Sequence, residues 1–298
     1  MAVAPADGTE RTKRTTSEPP GGPPLPLGRH IELAGLGTTF VREVAGPPNA
    51  PTVLLLHGWL ASGGLNWFTV FDDLARHFRV IAPDVRGHAR GLRSRRIFRL
   101  ADCADDCAET LVELGTGPVI AVGYSMGGPI AQLLWQRHRD LCAGLVLCAT
   151  AGGFVPGTRE RLASQAVMAA VAGTTRVGAL LARIPGAPPI AFPFGRSGAM
   201  PAWAAAEMRR HDVRMVIEAG HSISTYHARW LGEIDVPTAA VITTQDRAVA
   251  PRLQYEMASA IPRATRHEID DGHLTCARPS FAAPLRRACL DVADRAFG

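Results

Sequence analysis

The sequence predicts an α/β fold: a mostly parallel central sheet flanked by helices, with a helical cap inserted before the last strands. Three observations carry this prediction. Apolar runs such as Val53-Leu54-Leu55-Leu56 and Val119-Ile120-Ala121-Val122 are continuous rather than alternating, as in strands covered on both faces. Amphipathic segments separate these runs, which gives the β-α-β-α order of a parallel sheet. The alternation lapses over residues 151–231, where the chain is helical in tendency, and then resumes.

Residues 1–29 are rich in Pro, Gly and Thr, with Pro19-Pro20-Gly21-Gly22-Pro23-Pro24 near the end, and read as a disordered tail. Residues 30–46 alternate weakly around Gly35 and Gly37, which suggests a hairpin at a sheet edge. A strand over 51–56 ends in His57-Gly58-Trp59, and 65–77 reads as one helix through Leu65, Phe68, Phe71 and Leu74. The strand over 79–85 runs into Asp84-Val85-Arg86-Gly87-His88, followed by a basic loop with Arg90, Arg93, Arg95, Arg96 and Arg99. A helix over 100–114 leads to the strand that ends in Gly123-Tyr124-Ser125-Met126-Gly127-Gly128, then a helix over 129–139 and a strand over 143–149. The segment 151–231 carries Met168, Phe192, Phe194, Met200, Trp203 and Met208 and reads as the cap. Beyond it, a strand over 236–244 ends at Gln245-Asp246-Arg247, and a helix spans 252–260. A strand over 263–269 ends at Asp270-Asp271-Gly272-His273, and the last helix covers 279–296. The core is therefore expected over 30–150 and 232–298.

A chain of 298 residues, 47% hydrophobic and 20% charged, suits one large domain with an insertion. Its formal charge of +5 comes from arginine, since Lys13 is the only lysine. No interleaved aromatic and basic pattern accompanies it, so the excess reads as solvated surface and not as a nucleic-acid footprint. The loop over 90–99 reads the same way, ahead of an attraction for an anionic substrate. None of the six cysteines forms a C-x-x-C pair, and free buried thiols without a metal are expected. No apolar run approaches a membrane span, and the N-terminus has no apolar signal core, so a cytoplasmic location is expected. The sequence assigns no oligomeric state.

The candidate chemistry lies at strand ends, where sheets of this kind bind ligands. A strand, a Gly-x-Ser-x-Gly-Gly turn and a helix lift the Ser125 hydroxyl above the sheet edge, beside free N–H groups of the helix N-terminus. Such a turn leaves no room for side chains at Gly123 and Gly127. Acyl transfer by serine needs a base, a carboxylate that orients the base, and N–H donors for the oxyanion. His273 is the candidate base and Asp246 the candidate carboxylate, with Asp270 and Asp271 ranked behind it because they lie too near His273 in sequence. The backbone N–H groups of Met126 and Trp59 are the candidate oxyanion donors, with His57 and Gly58 bracing the Trp59 loop. No cofactor is required.

With His57-Gly58-Trp59, Asp84-Val85-Arg86-Gly87-His88, Gly123-Tyr124-Ser125-Met126-Gly127-Gly128, Asp246 and Gly272-His273, the sequence resembles the α/β-hydrolase superfamily, in its capped, serine-nucleophile branch. The matching residues span most of the chain. One departure is Ala89, where the family often has a second Gly after Arg-Gly-His. Ser125 argues against the epoxide hydrolases and haloalkane dehalogenases of the family, which use Asp there. The absence of lysine beyond the tail argues against its lysine-dependent hydroxynitrile lyases. Leu274 stands where the carbon–carbon hydrolases often have Trp, and Met126 is shared by cofactor-free perhydrolases and by esterases. The resemblance implies hydrolysis of an apolar, medium-chain carboxylic ester. Carbon–carbon hydrolysis, perhydrolysis and a non-enzymatic ligand receptor are the alternatives.

Overall fold

A computed structural model of the chain describes residues 21–154 and 199–298. Its strands are β1 (Gly28–Leu33), β2 (Gly37–Val44), β3 (Thr52–Leu56), β4 (Arg79–Pro83), β5 (Val119–Tyr124), β6 (Cys142–Cys148), β7 (Thr238–Thr243) and β8 (Thr265–Ile269). They form one eight-stranded sheet in the order β1-β2-β4-β3-β5-β6-β7-β8. The β1–β2 hairpin is antiparallel at the edge, as its alternation and glycines predict, and β2 is also antiparallel to β4. Every pairing from β4 to β8 is parallel. Gly28 and Arg29 belong to β1, so the sheet takes in the end of the segment expected as a tail. Residues 1–20 of that segment lie outside the described residues.

The continuous apolar runs are buried on both faces. Leu54, Leu56, Ala121 and Leu145 face one core, and Leu55, Ile120, Val122 and Val146 face the other. The first core is closed by α3 (Leu100–Glu113) and α4 (Gly127–Arg137), the second by α8 (Ala282–Phe297) with α1 (Gly63–Trp67) and α2 (Phe71–Leu74). The single helix expected over 65–77 is in fact α1 and α2. Thr69 and Val70 at the break are β-branched, and the Thr69 hydroxyl donates to the Cys276 carbonyl (2.8 Å), drawing the chain toward the loop after β8. Ser62 starts α1 as its N-cap, accepting from the Leu65 N–H (3.0 Å).

Between β6 and β7 the described residues include α5 (Ala199–Met208) and α6 (Val213–Thr225). Trp203 and Met208 are buried, whereas Met200 is exposed. Met168, Phe192 and Phe194 of the expected cap lie outside the described residues. Among the described residues no helix is long and apolar enough to cross a membrane. All six cysteines are buried free thiols. After β7 comes α7 (Pro251–Ala260), with Pro251 in its first turn, where no N–H bond is lost.

His57, directly after β3, is fully buried and links two strand ends. The Val85 N–H donates to its Nε2 (2.9 Å), so the proton sits on Nδ1, which donates to the Gly58 carbonyl (2.8 Å). Burial pushes its pKa down to about 4, against a smaller upward pull from the Gly58 carbonyl. Between that value and the ordinary 6.5 the unfolded chain binds a proton at His57 that the folded chain does not. Stability is therefore expected to fall as pH drops through this window, by about 2 kcal/mol at pH 5 from His57 alone. Urea unfolding midpoints at pH 7.5 and pH 5.0 measure this; equal midpoints would rule out a neutral buried His57.

Candidate active site

β5 lies at the centre of the sheet with all of its residues buried, and the chain leaves it through a sharp turn. Ser125 occupies the turn at φ 51°, in the left-handed region. The turn can close only around glycine. A Cβ at Gly123 would lie 2.3 Å from the Gly127 carbonyl oxygen, and one at Gly127 2.0 Å from the Leu56 oxygen on β3. The Ser125 N–H donates to the Cys148 carbonyl (2.9 Å). Its own carbonyl accepts from the Gly128 N–H (3.0 Å) and the Thr150 hydroxyl (2.7 Å).

The loops after β7 and β8 deliver the other two side chains to this turn. The Asp246 carboxylate accepts from His273 Nδ1 (2.7 Å), which leaves Nε2 as an acceptor for the Ser125 hydroxyl at 3.0 Å. Sequence reading thus brings together the three residues that meet in space. Asp270 and Asp271 stand apart from this line. Asp270 accepts from Thr244 and Gln245, and Asp271 accepts from the Gly272 N–H and pairs with Arg278.

Asp246 is tightly held. Its Oδ1 accepts from the N–H groups of Ala248 (2.8 Å) and Val249 (2.9 Å), and its Oδ2 from the Thr243 hydroxyl (2.8 Å) and the Gln254 amide (3.3 Å). Burial works against its charge, but the hydrogen bonds from His273, the Val249 N–H and Thr243 outweigh it and hold the carboxyl below its usual range. A carboxylate that stays ionised fixes the imidazole in the tautomer that can take a proton from serine.

Trp59 follows β3, and Met126 follows Ser125 as the N-cap of α4. Neither backbone N–H donates to another described residue. Gly58 is a close neighbour of the serine: a Cβ there would meet Ser125 Cβ at 3.3 Å. His57 supports this loop through the bonds given above.

Some contributors left no mark in the sequence. Tyr124, the variable residue of the Gly-x-Ser motif, donates its hydroxyl to the His273 carbonyl (2.6 Å) and so anchors the histidine loop. Trp67 and Phe281 pack edge-on against its ring, at 6.0 and 5.7 Å. Thr150 and Gln254 are also buried supports. In the basic loop after β4, Arg93, Arg95, Arg96 and Arg99 are exposed, as expected, while Arg90 and Arg93 reach the inserted segment. The Arg90 side chain is buried in a double hydrogen bond to Glu207 (2.9 and 3.0 Å), and Arg93 donates to the Ala89 and Arg210 carbonyls. Ala89 takes φ 40°, so alanine here makes the left-handed turn that a glycine makes without strain. Among the described residues no group of three or more His, Cys, Asp or Glu is placed to hold a metal ion.

Comparison with known proteins agrees with this architecture. A family profile described as alpha/beta hydrolase fold matches residues 51–176. The poly(3-hydroxyalkanoate) depolymerase of Ectopseudomonas oleovorans is 30% identical over 247 residues, covering 80% of this chain and 84% of that protein. The probable oxidoreductase EphD of Mycobacterium tuberculosis is 25% identical over 279 residues, covering 84% of this chain. That alignment spans 47% of EphD, so the chain matches about half the length of this relative. The solved esterase EaEST from Exiguobacterium antarcticum superposes with a TM-score of 0.69 at 18% identity, over 86% of this chain and 97% of its own, a likeness of fold.

The geometry separates the three carboxylates by experiment. Asp246→Asn is expected to slow covalent labelling of Ser125 by a fluorophosphonate by about a thousandfold or more, because the histidine loses its orienting anion. Asp270→Asn and Asp271→Asn are expected to change it less than threefold. Labelling rates followed by intact-protein mass spectrometry read this out, and a crippled Asp271→Asn protein would reassign the carboxylate.

Proposed function

Because the chain belongs to the α/β-hydrolase fold superfamily, we propose that it is a serine hydrolase of carboxylic esters, acting through an acyl-enzyme on Ser125. The observation that carries this reading is the hydrogen-bonded line from Ser125 Oγ through His273 to Asp246, built on a serine at φ 51°. A relative named as a poly(3-hydroxyalkanoate) depolymerase, an activity on polyesters, supports ester cleavage over other hydrolytic chemistry.

In this reading Ser125 attacks the ester carbonyl carbon as its proton passes to His273 Nε2. The imidazolium is stabilised by Asp246, which remains ionised. The carbonyl oxygen becomes an oxyanion and meets the N–H groups of Trp59 and Met126. When the tetrahedral intermediate collapses, the C–O bond breaks and Nε2–H gives its proton to the departing alkoxide, which leaves as the alcohol. Water then attacks the acyl-enzyme with His273 again as base, releasing the carboxylic acid and restoring Ser125.

The segment 151–231 serves as a cap in this proposal, and its flexible and aromatic apolar side chains favour apolar acyl or alcohol groups. Each CH₂ buried under such a roof contributes about 0.8 kcal/mol, roughly fourfold in kcat/KM.

Ser125→Ala is expected to keep the wild-type circular dichroism and to lose essentially all ester hydrolysis and fluorophosphonate labelling. For the wild type, kcat/KM for p-nitrophenyl esters from acetate to decanoate at fixed pH is expected to rise to medium chain length and then level or fall. Residual turnover in folded Ser125→Ala would remove Ser125 from its role. A series highest at acetate and falling with each carbon would remove the medium-chain assignment.

A further inference from the structure

The loop that carries Trp59 is strained and is tied down by the inserted helices at two points. Leu60 sits at φ 61°, and the Ala61 N–H closes the turn on the Gly58 carbonyl at 3.3 Å, a long bond. A leucine in the left-handed region costs about 1–2 kcal/mol, so such a turn persists only where its surroundings hold it. The Gly58 end is held from within the core, by the Asn66 side chain (2.9 Å). Further restraints come from α5 and α6. The Trp59 indole Nε1–H donates to the Val216 carbonyl on α6 at 2.7 Å, although the ring itself is 39% exposed. The Ser62 hydroxyl donates to Glu207 at the end of α5, at 3.1 Å. Glu207 is fully buried and also accepts two hydrogen bonds from the Arg90 guanidinium, with Arg210 beside it at 3.3 Å. Asp84 holds the same two segments through the N–H groups of Gly63 (2.8 Å) and Arg90 (3.1 Å).

The contacts of Trp59 with Val216, and of Ser62 and Arg90 with Glu207, join residues more than a hundred positions apart, and none of the three groups that would react with substrate uses them. A buried carboxylate on an inserted helix is a costly way to hold a surface loop, since its partners must all be in place. What it holds is the stretch whose backbone N–H is the proposed oxyanion donor.

We propose that α5 and α6 position the oxyanion loop, with Glu207 acting through Ser62 and the Trp59 indole acting through the Val216 carbonyl. Glu207 and the Trp59 side chain are positioning residues: they touch no reacting atom and set where the Trp59 N–H points. The proposal rests on the serine-hydrolase reading and adds that the insertion sets turnover as well as roofing the cleft. Loss of an oxyanion donor outright costs about a hundred- to a thousandfold in kcat. Loosening one of its restraints is expected to cost less, on the order of tenfold, with KM little changed.

Glu207→Gln leaves the buried Arg90 charge poorly paired and risks the fold, so the test uses Trp59→Phe, Ser62→Ala and the conservative Ser62→Thr. Active sites are counted with a fluorophosphonate, and kcat is expressed per titrated site. Inhibition constants for an alkyl trifluoromethyl ketone, whose hemiketal places an oxyanion in the hole, are measured beside KM. Trp59→Phe and Ser62→Ala are expected to lose about tenfold in kcat per site and in ketone affinity, with KM within threefold, and Ser62→Thr to recover most of both. A merely structural role would lower the melting temperature or the number of titrated sites and leave kcat per site and ketone affinity within twofold of wild type, which overturns the proposal. Wild type that takes up no fluorophosphonate overturns the hydrolase reading together with it, whereas labelled wild type with unchanged variants overturns the positioning alone.

Discussion

A serine at φ 51° is higher in energy than the same serine in a helix or strand by about 1–2 kcal/mol. Much of the surrounding structure serves to offset that difference. The Cys148 carbonyl takes the Ser125 N–H, while the Gly128 N–H and the Thr150 hydroxyl take its carbonyl oxygen. Gly123, Gly127 and Gly128 let three backbones approach within distances that any Cβ would block, the last of them against the Thr150 side chain. Cys148 ends β6, Thr150 follows it and Gly128 lies in the first turn of α4, all of them buried at the centre of the sheet. The strained turn therefore depends on the packing of both cores, and Ser125 gains a fixed direction from it.

The sheet order explains how residues 121 and 148 positions away from Ser125 reach it. β5, β6, β7 and β8 are adjacent and parallel, so their carboxyl ends form one row. Asp246 follows β7 and His273 follows β8, and each loop turns back along that row toward β5. The segment between β6 and β7 leaves from the same row, which puts α5 and α6 within reach of the loops after β3 and β4. One topological fact, parallel strands with their ends aligned, thus places the serine, its partners and the inserted helices together.

Much of this was legible in the sequence because it is local. Continuous apolar runs mark the parallel strands, and Gly-Tyr-Ser-Met-Gly-Gly marks a turn whose steric demand is written in its own glycines. The candidate serine, histidine and aspartate could be named because each ends a strand. The helix expected over 65–77 failed where Thr69 spends its hydroxyl on Cys276, a contact between residues far apart in sequence. The arginine-rich loop was read as solvated, and Arg93, Arg95, Arg96 and Arg99 are exposed, but the Arg90 side chain is buried against Glu207. Tyr124 and Gln254 were missed for the same reason: their value lies in a hydrogen bond made across the fold, and neither lies in a pattern that signals one. Ala89 was a departure at the level of residue type that the backbone absorbs, since it adopts the positive φ that glycine would.

The proposed oxyanion donors share one further feature, and it follows from the planarity of the peptide. In a trans peptide the C=O and N–H of one unit point in opposite directions. The unit that ends in the Trp59 N–H begins with the Gly58 carbonyl, which is drawn inward by His57 Nδ1–H and the Ala61 N–H. The unit that ends in the Met126 N–H begins with the Ser125 carbonyl, which is drawn inward by Thr150 and Gly128. Tying each carbonyl to the core turns each N–H outward, away from the bonds that hold it. His57, which touches no substrate in this reading, thereby aims one of the two donors. It can do so only as the neutral Nδ1–H tautomer, because its Nε2 is already occupied by the Val85 N–H. Its deep burial, which depresses its pKa to about 4, favours the neutral ring that this arrangement requires.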